Sequence, residues 1–323
     1  MSKPWDFGLA RELAMVEERI NACIQSDEPL LTDIARYVIG AGGKRIRPMV
    51  TLLSFQAAEG TEWQKIIDVA ACMELIHSAT LIHDDINDVG TLRRGKPPAY
   101  VKFGTHEALV AGDFLFVKAF AIGGRYGDEV IRVTEKACTS LAEGEIRQKR
   151  NRANVGLEVP EYLAVVERKT ASPIAAGAQV GALVGNGTPE QVRALGEYGR
   201  NLGIAFQIVD DVLDVVGTPS SLGKSPGSDI REGNVTLLSI HALNDGLAGD
   251  REDLVRVLQA KQKSEADVRR AVELILRSGA VERATTDAAA YVTRAKEALR
   301  AAIPSAHRKN LEEFADFILT RNN

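Results

Sequence analysis

The sequence predicts an all-α protein, and three observations carry that expectation. Apolar residues recur at helical spacing through most of the 323 residues. Stretches with the two-residue alternation of a strand are scarce. The breaks are short Gly/Pro punctuation rather than long linkers, so residues 1–323 read as a single domain of about ten helices.

In chain order, ARELAMVEERINACI places Leu13, Val16, Ile20 and Ile24 on one helical face. WQKIIDVAACMELIHSATLIHDDIND is a long run with neither Gly nor Pro. EALVAGDFLFVKAFAIGG, EVIRVTEKACTSLAEGEIRQKRN and EQVRALGEYGRNLGIAFQIVDDVLDVV follow the same pattern. So do EADVRRAVELILRSGAVERATTDAAAYVTRAKEALRAA and KNLEEFADFIL. Between them lie IGAGGKRIRP, GTLRRGKPP, the polar residues around Asn154, GNGTPE and GTPSSLGKSPGSD. Ala171 to Pro189 carries no charge, but Gln179, Asn186 and its many small residues make it too short in apolar core to span a bilayer. Gly177, Gly181 and Gly185 share one helical face, which predicts a tightly packed internal helix.

Composition narrows the function. The chain is 45% hydrophobic and 26% charged with a net charge of −4, which argues against a general nucleic-acid binder. Cys23, Cys72 and Cys138 form no CxxC pair, and no basic-then-apolar signal pattern opens the chain. The expectation is a cytoplasmic protein with reduced thiols and no membrane segment.

The chemistry is in the acids. Asp84, Asp85 and Asp88 interrupt an apolar run, and Asp210, Asp211 and Asp214 repeat their spacing in a second one. A solvated helix face interleaves Lys or Arg at i+3 or i+4; here the i, i+4 partners are both Asp, which repel. Carboxylates among core residues are costly unless something neutralises them. Positions i and i+4 stack one turn apart, so Asp84 with Asp88, and Asp210 with Asp214, predict two-oxygen jaws. Asp85 and Asp211 sit about 100° round the helix, suited to supporting contacts. All-oxygen acid ligation suits Mg²⁺ or Mn²⁺, and Mg²⁺ commonly bridges carboxylates to substrate phosphates. A phosphorylated substrate clamped between two acid jaws follows.

Basic residues complete the picture. GAGGKRIRP fails as a Walker loop, because Val38 and Arg45 stand where Gly and Ser/Thr belong, but its glycines with Lys44, Arg45 and Arg47 suit a second anion. Arg93 and Arg94 add guanidinium forks, and Lys169-Thr170 and Lys224 add further donors.

These motifs resemble the polyprenyl synthetase family, the trans-isoprenyl diphosphate synthases, and most of all its long-chain bacterial members. The matching stretches are GGKRIRP, HDDINDVGTLRRGKP, Gly112-Asp113, Gly144-Glu145 with Gln148, KTA at 169–171, FQIVDDVLD at 206–214 and GKSPGSDIREGN. They run in family order over roughly residues 40–238, and the paired DDxxD motifs are the specific part.

The resemblance implies an all-α fold around a central cavity and a homodimer. It implies Mg²⁺-dependent head-to-tail condensation of isopentenyl diphosphate with an allylic diphosphate. Three ions would be held, with Asp84 and Asp88 on two and Asp210 on the third, and Asp85, Asp211 and Asp214 would support them through water. Gly43, Lys44, Arg47, His77 and Arg94 would hold isopentenyl diphosphate. Arg93, Lys169, Thr170, Gln207 and Lys224 would hold the allylic diphosphate, with Lys169 counted among the catalytic groups.

Two departures from the family pattern stand out: Asn234 replaces a lysine and Leu238 a proline. Asn234→Lys is therefore expected to tighten allylic binding if that side chain faces the pocket. Small residues Ala79 and Thr80, before the first acid motif, predict a product longer than about C20, since one turn rises about 5.4 Å. Its floor would lie near Ile76, Met73, Phe116 or Phe120. The alternatives are a short-chain farnesyl or geranylgeranyl diphosphate synthase, a terpene cyclase and a non-catalytic synthase subunit. The intact second DDVLD argues against the last two.

Overall fold

Aliphatic side chains at three- and four-residue spacing draw the chain into helices almost throughout. The structure is a computed structural model and describes residues 7–90, 92–217 and 226–320. Among the described residues no strand forms; the one β-type pairing is an isolated bridge between Arg93 and Lys96. The helices run α1 Ala10–Cys23, α2 Pro29–Ile39, α3 Ile46–Ala57, α4 Trp63–Asp88, α5 Ala99–Phe103, α6 Thr105–Gly123, α7 Asp128–Arg150 and α8 Val159–Val166. A π turn at Glu167–Ala171 leads into α9 Ser172–Val184 and α10 Pro189–Val216. Further helices cover Ser228–Glu232, Leu237–Asp245, Ala248–Gln259, Glu265–Arg277, Ala280–Leu299 and Ser305–Thr320.

These segments are shorter and more numerous than the expected ten. The run from Glu265 divides at Ser278-Gly279, where Gly279 takes a positive φ of 74°. The end of the GGKRIRP stretch, read as a break, opens α3 instead; Pro48 is tolerated there because the first helical N–H groups have no partner inside the helix.

The described residues group into two compact units. One contains Met1–Lys136, Pro173–Gly199 and Glu297–Phe314. Its core is built on α4, which packs against α1, α3 and α6. Because α4 is apolar on all sides, it is buried on all sides from Ile66 to Ile82 apart from a few positions. It is the one described helix long and apolar enough to cross a membrane, and 83% of its apolar window is buried in the protein. In the same unit, α9 lies against α3 along the expected glycine face. A Cβ on Gly177 would sit 2.9 Å from the Thr51 hydroxyl, and one on Gly185 3.0 Å from the Ala58 Cβ. At Gly181 it would collide with the Thr51 carbonyl oxygen.

The other unit contains Ala137–Ser172, Arg200–Lys296 and Ala315–Asn323. Its core joins Tyr162 and Val166 of α8, Ile204, Ile208 and Val209 of α10, and Leu237, Leu254, Val257, Leu274 and Ile275 of the later helices.

Candidate active site

The first acid motif occupies the last turns of α4, where no basic residue offsets the exposed carbonyl ends of the helix. Asp84 and Asp88 are half-buried, while Asp85 is only 7% exposed. Val89 then stops the helix with a φ of 53°, a left-handed conformation that β-branched residues rarely adopt.

A tight turn follows. Arg93 N–H donates to the Lys96 carbonyl at 2.8 Å, and Lys96 N–H donates back at 3.0 Å. The two central residues, Arg94 and Gly95, have φ of 51° and 74°, as a type I′ turn requires. Glycine takes that shape freely; arginine takes it at a cost. The adjacent arginines find different partners. Arg93 Nε donates to Asp85 Oδ1 at 2.5 Å. The Arg94 guanidinium lies against Gly43, where a Cβ would stand 3.1 Å from both of its terminal nitrogens. Gly43 also has a φ of 149°, so a side chain there is excluded twice over.

Burial pushes the Asp85 carboxyl up, and Arg93 opposes that. Burial also lowers Arg94 below the usual arginine range. His77 is held well below the ordinary imidazole value, first by burial and then by repulsion from Arg47, Arg94 and Arg93. A neutral imidazole therefore faces a cluster of cations. Arg94 thus lies against Gly43 and acts with Arg47 on buried His77, and Lys44 is half-buried in the loop beside Gly43.

The structure corrects one part of that loop. Arg45 does not join Lys44 and Arg47 as an anion donor. Its φ of 52° turns it inward, where it bonds both oxygens of Glu17, Glu74 Oε1 at 2.7 Å and the Ile39 carbonyl at 3.0 Å. Gly112, from the GD pair, serves packing: a Cβ there would overlap the His83 imidazole, which lies 3.6 Å from Asp113 Oδ1.

In the second unit the acids lie near the end of α10, again without a basic residue in the last turn. Asp210 is exposed, while Asp211 and Asp214 are each 4% exposed. Asp211 accepts from the Tyr162 hydroxyl at 2.6 Å and from the Gln207 amide at 2.8 Å; Gln207 in turn accepts from the Thr170 hydroxyl at 2.8 Å. Burial outweighs those bonds and pushes the Asp211 carboxyl up to about 7. Asp214 accepts from Ser228 Oγ at 2.5 Å, Ser228 N–H at 3.2 Å and Asp229 N–H at 3.1 Å, so it caps the Ser228–Glu232 turn. The symmetric jaw expected of Asp210 and Asp214 is therefore uneven. Asp214 turns to backbone donors, and Asp210 is the exposed carboxylate.

Lys169 and Thr170 ride on the π turn, an irregularity that concentrates at functional positions. Lys169 Nζ lies 2.6 Å from Glu145 Oε1 and 2.8 Å from Gln148 Oε1. Gly144 lets α7 approach: its Cβ would stand 2.9 Å from the Lys169 nitrogen. Asn234 is 8% exposed, and its amide donates to Glu232 at 3.0 Å and Asp229 at 3.4 Å. Lys224 lies outside the described residues.

Among the described residues no three His, Cys, Asp or Glu side chains close on a preformed metal cage. The donor chemistry still fits Mg²⁺, which keeps several waters and takes one or two carboxylates together with substrate phosphates. Asp84, Asp88 and Asp210 are the more exposed of the hard oxygen donors, and Asp85, Asp211 and Asp214 are the more buried ones, bonded to Arg93, Tyr162 and Ser228. Sequence reasoning missed Tyr162, whose phenol is buried among aliphatic residues. Its one available signal was position, at the head of the short apolar run YLAVV eight residues before Thr170.

The polyprenyl synthetase family model matches residues 28–275. The chain belongs to the polyprenyl synthetase family. A short chain isoprenyl diphosphate synthase of Methanothermobacter thermautotrophicus is 41% identical over 315 residues, covering 96% of each chain. A nonaprenyl diphosphate synthase of Mycobacterium tuberculosis is 33% identical over 310 residues, covering 96% of this chain and 92% of its own. The crystal structure of a polyprenyl synthase from Caulobacter crescentus CB15, complexed with calcium and isoprenyl diphosphate, superposes with a TM-score of 0.94 at 36% identity, covering 98% of this chain and 96% of the other. This polyprenyl synthetase is a prenyltransferase with the all-α type I isoprenoid synthase fold.

Replacing Tyr162 with Phe leaves one oxygen of a buried carboxylate without a donor, at a cost of about 1–3 kcal/mol. The expected outcome is a melting temperature lower by at least a few degrees, read by circular dichroism. An unchanged melting temperature would contradict the buried Tyr162–Asp211 bond.

Proposed function

We propose that the chain condenses isopentenyl diphosphate head to tail with an allylic diphosphate in a Mg²⁺-dependent reaction, and that its all-trans product is longer than C20. The observation that carries this reading is the first acid motif on α4, set beside a group of cations in which Arg94 lies against Gly43, while Arg47, Arg93 and Arg94 act on buried His77. The family supplies the reaction class, and its relatives span short-chain and nonaprenyl synthases.

In this reading Asp84, Asp88 and Asp210 offer the carboxylates for metal. Bound Mg²⁺ would stabilise the negative charge that grows on the departing diphosphate. Lys44, Arg47 and Arg94 hold isopentenyl diphosphate by its charge, and neutral His77 adds a hydrogen bond without further charge. Lys169, fixed by Glu145 and Gln148, and Thr170, fixed by Gln207, present donors to the allylic diphosphate. The carbon–oxygen bond of the allylic substrate breaks, the double bond of isopentenyl diphosphate attacks the cation, and a proton leaves to the departing diphosphate. Asn234 takes no part in binding here, because its amide is committed to Glu232 and Asp229. Residues 1–323 act as one catalytic domain.

The chain-length reading rests on α4. Ala79, Thr80, Ile76 and Met73 are buried, and the first two are small. Phe116 stacks beside His83 with ring centroids 5.9 Å apart. Phe120 is 43% exposed in the single chain. Leu109, Val110, Val117 and Phe120 leave an exposed apolar row on α6, which supports a homodimer through this helix.

Asp84→Ala and Asp210→Ala are expected to lower kcat by about a thousandfold or more. Metal-centred stabilisation is worth several kcal/mol, and each ~1.4 kcal/mol is about tenfold in rate. Near-normal turnover of either variant at saturating Mg²⁺ would rule the assignment out. With a farnesyl diphosphate primer, the wild type should yield products beyond C20. Ala79→Phe should shorten them, since forcing a tail past the ring costs about 1–3 kcal/mol of overpacking. A wild-type product that stops at C15 or C20, or an unchanged distribution in the variant, would defeat the chain-length reading.

A further inference from the structure

Lys44, Arg45 and Arg47 follow one another at the start of α3, where the helix dipole already disfavours positive charge. Something must hold these cations in place, and the structure shows what. The left-handed φ of Arg45 sends its guanidinium inward, away from the course its neighbours follow. There it is saturated by Glu17, Glu74 and the Ile39 carbonyl. The side chains of Arg45 and Glu74 are 12% and 6% exposed, so this is a desolvated pair rather than a surface contact.

Glu74 lies on α4 three residues before His77 and eleven before Asp85, within one face of that helix. It is therefore tied to the first acid motif by a rigid element. Burial pushes the Glu74 carboxyl up, and Arg45 and Arg47 oppose that; Glu74 is also the main group favouring the charged form of Arg94.

We propose that Glu74 is a positioning residue for isopentenyl diphosphate: by holding Arg45 inward it sets the loop that carries Gly43, Lys44 and Arg47, beside Arg94. Glu17 closes the same fork from α1. The inference rests on the functional reading above, in which this pocket takes the metal-free diphosphate. Glu74 touches no substrate. Its effect reaches the ligand through the backbone of the loop and through the balance of charge among three arginines. It should therefore act on one substrate and spare the other.

The experiment compares Glu74→Gln, Glu17→Gln and Arg45→Lys with the wild type. Steady-state constants are measured for both substrates, and isopentenyl diphosphate binding is measured by calorimetry in EDTA. Glu74→Gln should raise the isopentenyl diphosphate KM, and its Kd in EDTA, by about tenfold or more. The allylic KM and kcat at saturation should stay within about threefold. Glu17→Gln, which leaves Arg45 its inner partner, should shift the same constants in the same direction by about threefold. Arg45→Lys keeps the charge but loses the fork, and should follow Glu74→Gln. A purely structural role would lower the melting temperature and leave both KM values alone, and that result overturns the proposal. So does an equal rise in both KM values. If Glu74→Gln does not fold, Glu17→Gln and Arg45→Lys decide by the same split. A wild type that fails to condense the substrates would instead overturn the functional reading. In that case the EDTA titrations still judge Glu74.

Discussion

Clustered negative charge at the C-terminal ends of α4 and α10 is the constraint on which the rest of this structure depends. Asp84, Asp85 and Asp88 crowd the end of α4, and Asp210, Asp211 and Asp214 the end of α10. Helix ends of this kind favour cations, and neither helix carries one in its last turn. The protein settles part of the debt internally. Arg93 takes Asp85, Tyr162 and Gln207 take Asp211, and the Ser228–Glu232 turn takes Asp214. Asp84, Asp88 and Asp210 keep the greater exposure. In both motifs, then, the buried acids are tied to protein donors while more open ones stand beside them.

Several cations near the acid motifs are aimed by irregular backbone. Arg45 and Arg94 both adopt left-handed φ angles, and Val89 does so between them. Lys169 and Thr170 sit on a π turn. Residues held in sparsely populated conformations cost of order 1–3 kcal/mol each and persist where the surroundings impose them. At Arg45 and Arg94 the inversion sends a guanidinium where a regular helix would not, and Gly43 clears the space that Arg94 needs, as Gly144 does for the backbone at Lys169.

Much of this was legible in the sequence because the signals were strong and local. Two matched acid triplets on apolar flanks located both motifs, and helical periodicity located α4 and α10. The small-residue face of Gly177, Gly181 and Gly185 announced the close approach of α9 to α3. What stayed hidden was direction. A sequence shows that Arg45 is positive, but the sign of its φ decides that it serves Glu74 rather than a ligand. Tyr162 and Glu74 looked like ordinary members of apolar helices, since burial alone reveals what a lone polar group bonds. Asp214 matched Asp88 in spacing, yet a backbone turn some fourteen residues on claimed its oxygens. Ser278-Gly279 ended a helix that periodicity alone carried through.

Under the proposed function, Asp84, Asp88 and Asp210 bind divalent cations that bridge to a diphosphate. Thermal unfolding of the wild type in EDTA, in Mg²⁺ alone and in Mg²⁺ with inorganic pyrophosphate tests it without relying on turnover. A ligand that binds the folded state alone raises its stability by mass action, by about 2.7 kcal/mol at a hundredfold excess over Kd. The account predicts a melting temperature that rises from EDTA to Mg²⁺ and rises further, by several degrees, when pyrophosphate joins the metal. The same melting temperature in all three conditions would contradict it.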